Sequence, residues 1–148
     1  MNGSAALLTA LEKAWSGDVE ALLAVYTPQC VFVDKAFNLI HHGHAGLREL
    51  FAFTYSMMPD FRASYGDHVI TADRAAAQWT FTGTFQGNFE DRHYEKVPVR
   101  IEGVSFMRLD GGKIAYNTDY WNLAALTNQL KLASSKILTA GNEQRAGL

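Results

Sequence analysis

This sequence predicts an α+β fold, with helices laid on one face of a strongly curved, mostly antiparallel sheet. Two observations carry that expectation. Apolar residues recur at helical spacing as far as Met58, and from Phe61 onward apolar and polar residues alternate along four long runs joined by turn residues. Length is the third support. At 148 residues, with 48% apolar and 19% charged, the chain is large enough for one domain with a sizeable core and shows no internal repeat or linker. The domain is expected to span 1–148, with a core from about residue 4 to 133 and a loose polar tail over 134–148.

The elements follow in order. Ser4 can cap a first helix that carries Leu7, Leu8, Leu11 and Trp15 on one side. Gly17 ends it, and Asp18 can cap a short second helix with Leu22, Val25 and Tyr26, stopped by Thr27-Pro28. Cys30 to Asp34 reads as a strand, with a partner near Asn38 to His41. A third helix is expected from Ala45 to Met58, on the spacing of Leu47, Leu50, Phe51, Thr54, Tyr55 and Met58, and Pro59-Asp60 terminates it. Four strands come next: Phe61 to Thr71, Arg74 to Phe85, Val97 to Leu109 and Lys113 to Trp121. Asn122 to Ala133 closes the chain with a leucine-rich helix. Helices over a bent sheet leave a conical cavity, where a small apolar or aromatic molecule would bind.

Composition narrows the partners. A formal charge of −2 with no basic stripe argues against nucleic acid or an anionic membrane surface. The first residues lack the pattern of a signal peptide, and no apolar run approaches the roughly 18 residues of a membrane span. The single cysteine, Cys30, fits a reducing cytoplasm and a buried structural role. His41, His42 and His44 invite a metal reading, but adjacent strand residues point to opposite faces and no carboxylate stands at ligand spacing. No metal and no cofactor is expected. The glycines of TFTGTFQGNFE lack the strand-to-helix context of a phosphate loop.

Asp119 is the residue that needs explaining, because Tyr116, Tyr120 and Trp121 around it favour burial and an unpaired buried carboxylate is costly. Its direction depends on one turn. Along Pro98 to Leu109 the uncharged positions, Ser105 among them, belong inside. A two-residue Gly111-Gly112 loop would set Asp119 opposite Val104, facing out. A three-residue loop from Asp110 would set it opposite Gly103, facing in, with Asn117 opposite Ser105. Pattern alone leaves both open.

Six stretches in order, GDVEALLAVYTPQCVFVD, HHGHAGLRELF, MPDFRA, WTFTGTFQG, IEGVSFMRLDGGKI and DYWNLAALTNQL, resemble the SnoaL-like polyketide cyclases. That family lies within the nuclear-transport-factor-two-like superfamily, and the resemblance implies a cone-shaped α+β barrel and a homodimer. Val104 and Phe106, apolar positions on the charged face of the sheet, agree with a dimer. The resemblance also implies cofactor-independent acid/base catalysis of an aldol-type ring closure, with Asp119 in the position of the family's catalytic carboxylate. Related ketosteroid isomerase implies a second carboxylate at Asp34, whereas its two oxyanion donors fall at Ala10 and Ser105. A pair of carboxylates also suits an isomerase, dehydratase or epoxide hydrolase. The sequence departs from the family pattern at Phe85, where a histidine is usual, and at Asn122, where an aspartate is. A non-catalytic dimeric binding module is the remaining alternative.

Around Asp119 and Asp34, the expected cavity residues are Trp15, Trp79 and Trp121, with Tyr26, Phe51 and Tyr55 from the helical half. Phe85, Ser105 and Asn117 complete the set. For Asp119 the competing reading is a structural hydrogen bond with Asn117, Ser105 or backbone. For Asp34 it is capping of the turn that follows.

Overall fold

The structure is a computed structural model that describes residues 3–133, with side chains from residue 6. The expected tail over 134–148 and the Ser4 cap lie outside what is described. Helix α1, Gly3–Ala14, buries Leu7, Leu8 and Leu11. Helix α2, Val19–Ala24, starts where Asp18 accepts the amide of Ala21 on Oδ1 at 3.0 Å, the expected cap. Strand β1 is longer than expected, Tyr26–Asp34. Pro28 is tolerated there because residues 27–30 have no ladder partner on either side.

Strand β2, Leu39–His42, is followed by helix α3, Gly43–Met57. Strands β3, Arg62–Ile70, and β4, Arg74–Phe89, lead to β5, Arg92–Asp110, and β6, Lys113–Trp121. The β4–β5 hairpin runs well past the expected ends at Phe85 and Val97. Phe89 and Tyr94 explain this, because both pack edge-on against Phe85 and hold the arms together. Residues 123–133 are helical, and Leu126 and Leu130 are buried against the β4–β5 half of the core.

The strands form one curved, open sheet in the order β2-β1-β6-β5-β4-β3. Only β1 and β6 run parallel; the other four pairings are antiparallel. Burial alternates along β5 as the sequence predicts, with Val97, Val99, Ile101, Ser105 and Met107 inside. Cys30 is buried in the core formed with α1 and α2.

The β5–β6 joint settles the direction of Asp119 by a route neither expected turn contains. The loop is the two-residue one: Asp110 pairs with Lys113, and Gly111 and Gly112 both take positive φ, 58° and 80°. Alone it would turn Asp119 outward. A bulge corrects it, since Leu109 pairs with Ile114 but Arg108 pairs with Tyr116, leaving Ala115 as the extra residue. Past that bulge Asp119 stands opposite Ser105 and faces in. The bulge also places Asn117 opposite Met107 rather than Ser105.

Candidate active site

A cavity of about 640 Å³ opens between α3 and the concave face of the sheet. Its wall is largely aromatic and includes Trp15, Trp79, Phe81, Phe85 and Trp121. Besides Glu49 on α3, two carboxylates on the sheet break that wall, Asp34 and Asp119. They are register partners on the parallel pair β1–β6, so they lie side by side on strands roughly 5 Å apart and point the same way.

Asp119 is held from one side. Ser105 Oγ and Asn117 Nδ2 both donate to its Oδ1, the latter at 2.8 Å. Trp79 Nε1 donates to Ser105 Oγ at 2.9 Å, so the hydroxyl has one proton to give and gives it to Asp119. With Oδ1 accepting twice, Oδ2 is the oxygen left for the cavity and for any proton the acid carries. Burial pushes the Asp119 pKa up to about 6; the bonds from Ser105 and Asn117 oppose the rise and the charge of Asp34 adds to it. The carboxylate is thus both hydrogen-bonded and poised to exchange a proton. Gly103 makes the arrangement possible, because a Cβ there would meet the Trp79 ring at 2.5 Å.

Asp34, 9% exposed, has a different arrangement. Its Oδ1 accepts the amides of Ala36 and Phe37 at 2.9 and 3.1 Å, which is the expected turn cap. Trp121 Nε1 donates to the same oxygen at 3.1 Å and so ties the turn to the cavity wall. Burial raises its pKa, opposed by those three bonds and by His41.

Of the other expected residues, Trp15, Trp79, Phe85 and Trp121 line the cavity. Ser105 and Asn117 lie behind Asp119 rather than on the surface of the wall. Tyr26, Phe51 and Tyr55 do not reach the cavity. The apolar stripe of α3 divides: Leu50, Phe53, Thr54 and Met57 face the cavity, while Phe51 and Tyr55 stack on Trp15 with centroids 5.7 and 6.5 Å away. Tyr55 also donates to the carbonyl of Phe61 at 3.1 Å. Tyr26 is fully in the core with α1 and α2. The apolar wall that raises the Asp119 pKa therefore includes Trp121 but not Phe51 or Tyr55.

Sequence reasoning missed Tyr65 and His41, both on the wall. Tyr65 alternates with Ala63 along β3, a period-two signal that marks it as inward. His41 pairs with Phe32 across β1–β2, and its Nε2 is buried without a hydrogen-bond partner. Burial lowers its pKa, so the ring is held neutral. The other histidines diverge from it: His42 is exposed and His44 Nε2 lies 3.0 Å from the carbonyl oxygen of Tyr26. Among the described residues no three His, Cys, Asp or Glu side chains converge on one point, and no helix is long and apolar enough to cross a membrane.

A curved sheet under helices, enclosing an aromatic cavity with carboxylates on one wall, defines the ketosteroid-isomerase-like class of fold. The chain belongs to the SnoaL-like polyketide cyclase family, whose sequence model matches residues 5–130. Solved structures agree on the fold. A protein of ketosteroid-isomerase-like fold from Catenulispora acidiphila, solved with trimethylamine, is 20% identical with a TM-score of 0.73, covering 84% of this chain and 92% of its own. IdmH from Streptomyces antibioticus, a polyketide cyclase candidate, is 20% identical at 0.74, with 86% and 97% covered. AclR from Streptomyces galilaeus, a hydroxylase candidate, is 23% identical at 0.72, with 86% and 94% covered. Among curated proteins none matches the sequence.

Proposed function

We propose that this protein is a cofactor-independent acid/base enzyme that closes a ring in an apolar, polyketide-like carbonyl compound by an aldol-type step. The observation that carries this is Asp119, with one oxygen fixed by Ser105 and Asn117 and the other turned to an apolar cavity. A carbon between two carbonyls is acidic enough for a carboxylate to deprotonate. The enolate then attacks a second carbonyl of the same molecule, and the acid returns its proton to the new alkoxide. The aromatic wall folds a flexible substrate so that the two ends meet. Membership of the cyclase family supports the same reading.

The test is turnover of polycyclic β-keto esters and ketones, with mass detection and deuterium exchange at the acidic carbon. Asp119→Asn is expected to lower turnover by about a hundredfold or more. In the wild type kcat/KM should rise with pH through about 6, as Asp119 becomes the free base, and then level off. Undiminished turnover in the variant would sink the assignment and favour a binding module.

One observation favours a second reading. Asp34 and Asp119 share a register position, and such a pair also suits dehydration or epoxide opening. Product mass separates the three: ring closure conserves it, dehydration removes water and epoxide hydrolysis adds it. We further propose that the enzyme is a cytoplasmic homodimer. The outward row of Val104, Phe106 and Tyr120 on β5–β6 supports the dimer.

A further inference from the structure

We infer that the Tyr65 phenol donates a hydrogen bond to the oxyanion formed when Asp119 removes a proton, so that the cavity recognises planar enolates and phenolates. This rests on the acid/base reading of Asp119 and adds the group that would stabilise the charge it creates. Deprotonating a carbon beside a carbonyl moves charge onto oxygen, and an apolar cavity needs a donor there. The wall offers few. Trp79 Nε1 is committed to Ser105, Trp121 Nε1 to Asp34, and Thr54 Oγ1 to the carbonyl of Leu50. His41 has its Nε2 sealed from the cavity, and Asn88 is exposed and bonds His93 through its Oδ1. Trp15, whose Nε1 has no partner among the described residues, is held by its contacts with Phe51, Tyr55 and Phe61. Tyr65 is the lining hydroxyl with no hydrogen-bond partner among the described residues, and it is not closed off from open space.

The sheet aims it. Tyr65 pairs with Trp79, the same residue whose indole fixes Ser105 and through it Asp119. Between Tyr65 and the Ser105–Asp119 row lies the Trp79 indole, packed over Gly103 with its Nε1 on Ser105, so Tyr65 and Asp119 flank one ring of the same cavity wall. The backbone of Tyr65 is anchored, its amide donating to Glu12 Oε1 at 2.7 Å. Burial, with the Asp119 charge adding, pushes the phenol far above its ordinary acidity range. It therefore keeps its proton and acts only as a donor.

The step balances. Asp119 Oδ2 takes the proton, the electron pair of the broken C–H bond becomes the new C=C bond, and the carbonyl π pair moves onto oxygen. That oxygen accepts from Tyr65, which is unchanged at the end.

A phenolate is an enolate held within an aromatic ring, so 4-nitrophenolate at mildly alkaline pH is a suitable probe, with nitrobenzene as the control that lacks the oxygen. Titration should show Tyr65→Phe weakening nitrophenolate about 10- to 100-fold, the value of one hydrogen bond to a charged group, with nitrobenzene within about twofold. Equal loss of both ligands, or of neither, would overturn the proposal. Asp119→Asn should tighten nitrophenolate by removing a facing charge. If it does not while Tyr65→Phe behaves as stated, the base assignment fails and the donor survives. The wild type gives an answer that needs no variant. Its Tyr65 hydroxyl proton resonance should move downfield on adding nitrophenolate, and a resonance that stays in place overturns the assignment.

Discussion

Ionising Asp119 inside the cavity costs the folded state stability, and the sign of that cost can be measured without a substrate. Its folded pKa of about 6 lies above the roughly 3.9 of an unfolded aspartate. Between those values the folded chain holds a proton the unfolded chain has released, so stability falls as pH rises through the window and levels off above about 6. Asp119→Asn keeps an oxygen for Ser105 and Asn117 and never ionises. Its melting temperature should therefore gain on the wild type as pH rises from about 4 to 6, by several degrees and at most ~3 kcal/mol, and hold that gain beyond. Parallel melting curves at every pH would mean a carboxylate in contact with water. At this scale the sequence showed Asp119 as out of place and offered Ser105 and Asn117 as partners, but not that both would bond one oxygen and leave the other free. Asn117 and Asp119 share a face by alternation, whereas Ser105 is set by pairing across strands. The overreach at Phe51 and Tyr55 has the same root: periodicity gives a helix's apolar side but not which neighbour each part of it meets.

The deciding element is the β5–β6 hairpin, where one residue separates a carboxylate in the cavity from one in solvent. Deleting Ala115 would only smooth the bulge and leave Asp119 opposite Ser105, but inserting one alanine between Tyr116 and Asn117 would force Asn117, Asp119 and Trp121 outward and draw Thr118 and Tyr120 inward. The expected result is loss of cooperative unfolding and of dispersed amide resonances. Ala115→Gly keeps the residue count and should retain both, at a cost of about 1 kcal/mol. A well-folded insertion variant would show that packing of β6 does not depend on this register. Strand identity and parity on β5 were legible because its burial alternates cleanly from Val97 to Met107. The bulge was not. Ala115 and its neighbours can fill either face, and what selects the register is the burial of Ile114 ahead of it and Asn117 behind it, which is a tertiary effect.

For the whole molecule, the order of helices and strands was enough to place a cavity, because a sheet this curved must bury its concave face on whatever precedes it. It was not enough to say what covers the convex face. There β5 and β6 present Phe106 and Tyr120, each 52% exposed, beside Val104, while Arg100, Glu102 and Arg108 continue the row. An apolar centre bordered by charges of both signs suits a second copy of the same surface turned about a two-fold axis, each Arg finding the other copy's Glu. Phe106→Glu puts a charge in the apolar centre without touching the core, since Phe106 points away from Ser105 and Met107. Light scattering at micromolar concentration should give a dimer for the wild type and a monomer for the variant, with unchanged far-ultraviolet dichroism in both. A monomeric wild type would remove the dimer. A variant that still dimerises would move the interface to another face, and the edge strands β2 and β3, which carry exposed Ile40 and Val69, would be the next to test.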